Sequence, residues 1–201
     1  MPSAKGPQKQ KKLLASQALL KCLSTPEDTR PTLYFLAGPN GAGKSTVHKL
    51  LSEHGAPIPF INADLIAKLL KDIPDPDVLA QKVAELMRDH LAETRTSFAT
   101  ETVFSDPHGA KLAYIKRAQE LGFRVVLIAV WIPSSAASAA RVRQRVANGG
   151  HTVPLDKLAR RYAACMQNLK AALAFVETAI VFDNSGPIEN GPQLKATLHN
   201  G

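Results

Sequence analysis

The chain has 201 residues, a formal net charge of +8 and 45% hydrophobic residues, enough to bury one α/β core with room for a lid. Its longest apolar run, Val125 to Ile132, is far too short to carry a helix across a bilayer, which excludes a helical membrane span. The two cysteines, Cys22 and Cys165, stand far apart without metal-ligand spacing and read as ordinary buried or half-buried thiols.

Residues 1–30 hold six basic and two acidic residues and read as a basic helical arm, with Leu13, Leu14, Ala18, Leu19 and Leu20 as its apolar stripe. After Lys5, Lys9, Lys11 and Lys12 only Leu13, Leu14 and Ala15 precede the polar Ser16 and Gln17. No signal peptide is therefore expected, and cytoplasmic residence follows. Thr32 to Ala37 reads as a buried first strand and Lys44 to His54 as a helix. Gly55 to Pro59 turns the chain into Phe60-Ile61-Asn62-Ala63-Asp64, a short strand or strand end, which runs into a helical segment from Leu65 to Leu70 with Asp64 suited to its N-terminus. Pro74, Asp75 and Pro76 form a break. Asp77 to Thr94 has amphipathic helical spacing through Leu79, Val83, Leu86, Met87 and Leu91. Ser97 to Thr102 reads as a strand, His108 to Leu121 as a helix closed by Gly122, and Val125 to Ile132 as an interior parallel strand. Two helices follow, Ser134 to Ala147 and Pro154 to Val176, around a hinge-like loop. Ala179 to Asp183 is a last strand before the turn Asn184-Ser185-Gly186-Pro187 and a short C-terminal segment. Alternating strands and helices predict a mainly parallel sheet flanked by helices.

Between the first strand and helix stands Gly38-Pro39-Asn40-Gly41-Ala42-Gly43-Lys44-Ser45-Thr46, which fits G-x-x-x-x-G-K-[ST]. Glycines let successive backbone N–H groups turn inward, and the helix that follows presents its positive end, so the segment is expected to cradle the phosphates of ATP. Lys44 is placed to reach the β- and γ-phosphates and Ser45 to hold Mg²⁺. Residues 31–201 are accordingly expected to form one P-loop domain, and the residues that follow make it a P-loop kinase domain with a lid over about 134–162.

A phosphate loop alone does not distinguish a kinase from a motor or a nucleotide sensor. A kinase acting on an alcohol needs a base, cations around the phosphoryl group and a lid. Asp64 is the candidate base, with a plain helix cap as the alternative. Glu101 is the candidate for binding substrate hydroxyls or a Mg²⁺ water, with a buried structural carboxylate as the alternative. Residues 141–161 carry six basic and one acidic residue. Arg141, Arg143, Arg145, Arg160 and Arg161 straddle Gly149-Gly150-His151, so the two helices are expected to close onto ATP as an arginine-bearing lid, against the alternative of a solvated basic face. Arg145 and Arg160 are taken as catalytic, Arg141 and Arg161 as substrate contacts. His151 is read as a hinge or substrate contact rather than a metal ligand.

Taken together, Gly38 to Thr46, Asn62-Ala63-Asp64, Thr100-Glu101-Thr102, Arg141 to Arg145, Gly149 to Pro154 with Arg160-Arg161-Tyr162, and Asp183-Asn184-Ser185 resemble the zeta-toxin family of P-loop kinases. The resemblance implies ATP-dependent phosphorylation of a small-molecule hydroxyl, in the best-known members the sugar 3′-hydroxyl of UDP-N-acetylglucosamine. It implies that Asp64 is the base, that Lys44 and lid arginines stabilise the transferred group, that Glu101 and Thr102 contact substrate, and that Asn184 lies beside the adenine. An antitoxin protein that blocks ATP entry is a further implied partner. A polynucleotide or nucleotide-hydroxyl kinase is the second reading, encouraged by the positive charge and disfavoured by the 5% aromatic content, which leaves little stacking surface. A nucleotide-dependent regulatory binding protein without transfer is the third.

Overall fold

The computed structural model describes residues 28–54, 58–148 and 154–200. The segment 1–30, expected to form a basic helical arm, falls almost wholly outside them. At its end, Arg30 bridges Asp28 (2.9 Å) and Glu177 (2.8 Å), tying the chain to the body before the first strand.

The strands are β1 (Thr32–Ala37), β2 (Phe60–Ile61), β3 (Phe98–Thr102), β4 (Arg124–Trp131), β5 (Thr178–Asp183) and β6 (Gln193–His199). They form one six-stranded sheet in the order β2-β3-β1-β4-β5-β6. All neighbouring pairs are parallel except β5 with β6, which are antiparallel with a register shift at Val181/Phe182. The helices are α1 (Lys44–His54), α2 (Ala63–Leu69), α3 (Pro76–Glu93), α4 (Ala110–Glu120), α5 (Ser135–Ala147) and α6 (Leu155–Leu173). This is a P-loop kinase-like α/β fold, as the alternation of apolar strands and amphipathic helices predicts.

Alternate residues of the central strands supply two cores because successive side chains point to opposite faces of a sheet. Leu33, Phe35, Val125 and Leu127 pack with Ala84, Ile115, Cys165 and Leu169. Leu36, Val126, Ile128 and Val130 pack on the other face with Val47, Ile180 and Phe182. In α6 the buried residues Cys165, Leu169 and Ala172 recur at helical spacing, which seats that helix along the first core. A small separate cluster, Val142 with Leu158 and Ala139, joins α5 to α6.

Several boundaries differ from expectation for local reasons. Helix α4 begins at Ala110 because Gly109, at φ 69°, turns the chain into it. Helix α6 ends at Leu173, and the cap Ala174 bonds back to Ala171 and Ala172. The C-terminal segment, which gave no strand signal, forms β6 by pairing along β5. Among the described residues no helix is long and apolar enough to cross a membrane.

Candidate active site

The sheet is parallel through β1, β3 and β4, so the loops leaving their C-terminal ends converge, and this is where ligands approach doubly wound sheets. Gly38 to Gly43 leaves β1 and enters α1. Gly41 and Gly43 adopt φ of 73° and 92°, a backbone region that glycine occupies without a Cβ penalty. Two neighbours brace the loop from outside. Ser138 of α5 donates its hydroxyl to the carbonyl of Asn40 (2.6 Å), and Asn184 donates Nδ2 to the carbonyl of Ala42 (2.8 Å). The packing is tight: a Cβ added at Gly43 would lie 2.6 Å from Asn184 Nδ2. At Gly38 an added Cβ would lie 2.4 Å from the carbonyl oxygen of Val130, a backbone atom in the middle of the sheet. Gly38→Ala is therefore expected to lower stability by about 1–3 kcal/mol through overpacking, measured by urea unfolding. An unchanged midpoint would mean that the loop shifts freely.

Lys44 is buried, and its Nζ donates to the carbonyls of Gly38 (2.9 Å) and Pro39 (3.2 Å) while lying 4.0 Å from Glu101 Oε1. Burial pushes the Lys44 ammonium below its ordinary pKa, and the negative charge of Glu101 opposes that shift. Glu101 stands one residue from the end of β3. Its other oxygen accepts a bond from Asn62 Nδ2 (3.0 Å), which fixes the carboxylate between an amide and an ammonium. Asn62 works in two directions, since its Oδ1 also accepts from the N–H groups of Asp64 (2.8 Å) and Leu65 (3.3 Å). The cap of α2 is thus Asn62. This corrects the reading of Asp64 as the cap: Asp64 sits in the first turn, exposed, with its own N–H capped. Its side chain is left available at the rim of the site.

Burial raises the Glu101 pKa first of all, Lys44 lowers it, Asp64 raises it, and Arg145 lowers it. Asp64 and Arg145 also act on Lys44. The four charges therefore lie close enough to sense one another. A carboxyl whose folded pKa exceeds its unfolded value binds its proton more tightly in the folded protein, so ionisation of Glu101 removes stability as pH rises from about 4.5 through the folded value. Glu101→Gln escapes that loss. Urea unfolding of both proteins across this range should show the variant gaining on the wild type as pH rises and then levelling off. A variant that instead falls behind would show that the attraction to Lys44 outweighs desolvation.

The remaining candidates are distributed around this centre. Thr102 Oγ1 accepts from the N–H of Phe104 (3.1 Å), so this hydroxyl also shapes the loop after β3. Arg141 packs beside Gly41 and donates to the carbonyl of Gly186 (2.9 Å), linking α5 to the turn after β5. Arg160 is exposed and Arg161 half-buried on α6. His151 and the glycines beside it lie outside the described residues. Asn184 is buried behind the loop, against Gly43, while Ser45 and Thr46 are exposed at the start of α1. Sequence reading assigned no role to Asn62, Ser138 or Tyr162, whose hydroxyl donates to the carbonyl of Ile132 (2.9 Å). Only Asn62 carried a usable signal, an Asn just before a helical run.

The family model of the AAA domain (AAA_33) matches residues 33–167, which span the phosphate loop, Asn62, Glu101, α5 and most of α6. The chain belongs to this family. No curated protein matches this AAA domain chain in sequence. Its fold is similar to AvrRxo1-ORF1:AvrRxo1-ORF2 solved with ATP, at 18% identity and a TM-score of 0.64, covering 96% of this chain and 65% of the other. This chain thus spans just under two thirds of that protein. It is also similar to a chain of the PezAT toxin–antitoxin system of Streptococcus pneumoniae, at 17% identity and a TM-score of 0.57, covering 94% and 82%. A third similar structure belongs to the Pnkp1/Rnl/Hen1 RNA repair complex, at 17% identity and a TM-score of 0.57, covering 74% and 49%.

The residues fit a magnesium nucleotide. Positive-φ glycines, a buried lysine and a helix start form a cradle for phosphate. Bordering it, the buried side-chain oxygens of Asn40 and Asn184 have no donor among the described residues. Ser45 offers a hard oxygen of the kind Mg²⁺ takes while keeping waters and phosphate oxygens as its other ligands.

Proposed function

We propose that this AAA domain protein is an ATP-dependent kinase that phosphorylates a hydroxyl of a small molecule, with the sugar 3′-hydroxyl of UDP-N-acetylglucosamine as the leading acceptor. The observation that carries the reading is Lys44 at the phosphate loop lying 4.0 Å from Glu101, with Asn62 joining Glu101 to the start of α2, where Asp64 stands. The loop and Lys44 hold the donor phosphates, and Ser45 holds the Mg²⁺ that neutralises their charge. Asp64, exposed and adjacent, takes the proton of the acceptor hydroxyl as its oxygen bonds to the γ-phosphorus and the bond to the β-phosphate oxygen breaks. Lys44 and Arg145 offset the charge of the group in flight. Asn62 orients Glu101, which with Thr102 holds the acceptor's hydroxyls.

The test is transfer from labelled Mg-ATP to UDP-N-acetylglucosamine by the purified full chain, with an untargeted metabolite extract in parallel. A phosphorylated sugar nucleotide is the expected product. A labelled product from the extract alone keeps the kinase and rejects this acceptor; labelled nucleic-acid ends favour the polynucleotide reading; no product from either supports a regulatory nucleotide binder. The two-component systems in the similar structures support looking for an inhibitory partner protein, which co-expression and co-purification would reveal.

A further inference from the structure

A trans peptide group places its carbonyl oxygen and the N–H of the next residue on opposite sides of the chain, so a partner that holds one of them aims the other. No peptide bond among the described residues is cis. In the phosphate loop two carbonyls are held from outside, that of Asn40 by Ser138 Oγ (2.6 Å) and that of Ala42 by Asn184 Nδ2 (2.8 Å). The N–H groups opposite them belong to Gly41 and Gly43, and neither has an acceptor among the described residues. Both glycines sit at positive φ, where successive N–H groups can turn toward one point and make a concavity for an anion.

The donor on α5 is placed with unusual care. A serine inside a helix commonly bonds the carbonyl one turn back or faces water. Ser138 does neither: it is 1% exposed, and its hydroxyl crosses to a residue 98 positions earlier in the chain. Its own backbone is fixed by the start of the helix, where Ser134 Oγ caps the N–H of Ala137 (3.1 Å) and the Ser134 carbonyl accepts from the N–H of Ser138 (3.0 Å). The helix also abuts the loop directly, since a Cβ added at Gly41 would lie 3.0 Å from Arg141 Cβ and 3.1 Å from the Ser138 carbonyl oxygen.

The second donor is anchored to the same wall. Asn184 is 4% exposed, and its N–H donates to the carbonyl of Trp131 (2.9 Å) at the end of β4. Two residues later the carbonyl of Gly186 accepts from Arg141 of α5 (2.9 Å). Helix α5 and the turn after β5 thus form one braced surface behind the loop. Arg145 stands seven residues after Ser138, two turns along the same helix face and about 10 Å away along the axis. The contact that shapes the cradle therefore also sets the register of Arg145 against it.

We propose that Ser138 and Asn184 are positioning residues of the phosphate cradle, holding two loop carbonyls outward and so aiming the Gly41 and Gly43 N–H groups at a phosphate of the bound nucleotide. Neither residue touches that phosphate. Because both bonds exist before any ligand arrives, the donors are oriented in advance, and no part of the binding energy is spent on turning them. The proposal rests on the reading of the loop as a nucleotide-phosphate site and not on transfer to any acceptor. Its consequence is that these two side chains act on recognition of phosphate and leave recognition of the nucleoside alone.

The experiment measures ADP and AMP binding to the full chain by calorimetry with Mg²⁺, because the ratio of the two affinities isolates the additional phosphate that such a loop cradles. The wild type is expected to bind ADP at least ten-fold tighter than AMP. Ser138→Ala and Asn184→Ala are each expected to lower that ratio by about 3- to 10-fold, the worth of one hydrogen bond. Ser134→Ala is the control: it removes the cap of α5 while leaving the bond from Ser138 to Asn40 in place, so stability should fall and the ratio should hold. In spectra of the [¹⁵N]glycine-labelled chain, the Gly41 amide should shift on ADP binding in the wild type and by less in Ser138→Ala, with Gly43 responding in the same way to Asn184→Ala. Should Asn184→Ala fail to fold, Ser138→Ala decides. A wild-type ratio in a folded variant, an equal fall in Ser134→Ala, or a loss of AMP and ADP affinity in the same proportion overturns the proposal and leaves the nucleotide site standing. Equal affinity of the wild type for ADP and AMP removes the phosphate-site reading, and the proposal with it.

Discussion

Asp64→Ala is expected to reduce phosphoryl transfer by about 10²–10⁴-fold while leaving ATP affinity close to wild type. The asymmetry follows from position. Asp64 is exposed in the first turn of α2, and the helix cap is supplied by Asn62, so truncating the Asp64 side chain removes a carboxylate without uncapping the helix. Nor is Asp64 part of the loop that holds the phosphates. Single-turnover transfer and nucleotide binding measured on the same preparation separate the two effects, and unfolding in urea checks the cap. A variant that transfers phosphate at the wild-type rate would eliminate Asp64 as base. Asn62→Ala provides the contrast. It uncaps α2, for about 0.5–2 kcal/mol, and also releases Glu101, so it should lower stability and activity together.

Lys44→Met is expected to cost about 10²–10³-fold in transfer, the size of effect seen when one preorganised donor to a developing charge is removed. It also has a structural signature. Lys44 is the buried cation facing Glu101 at 4.0 Å, and it donates to two carbonyls of the loop itself. Methionine fills the volume but leaves the Glu101 carboxylate without that charge. The single variant should therefore be less stable than Lys44→Met combined with Glu101→Gln, and the double-mutant cycle should give a coupling of about 0.5–3 kcal/mol. Urea unfolding of the four proteins at neutral pH measures it. Strict additivity would show that the two groups do not interact in the folded protein.

The phosphate loop was legible because its requirements are local: glycines where the backbone turns left-handed, a lysine at the first helical position, an apolar strand before it. Helix α1 was read to its end residues for the same reason, and the buried run that forms β4 was visible as apolar on both faces. Strand β6 was not, because it is a half-exposed edge whose identity depends on the β5 backbone lying beside it. Asn62 and Asp64 illustrate the limit at side-chain resolution. Either residue can cap a helix, and the choice was made by Glu101, which engages the Asn62 amide and orients its oxygen toward α2.

By itself, the sequence determined an α/β chain with a nucleotide loop, two candidate carboxylates, Asp64 and Glu101, and basic charge gathered on two helices. Which strands are neighbours was decided only in the folded sheet, where β1 lies between β3 and β4 and so brings Glu101 to Lys44 across an interval of 57 positions. The physical reason is range: backbone conformation and amphipathicity are written in neighbouring residues, whereas charge coupling and desolvation depend on distances that exist only after the core has closed.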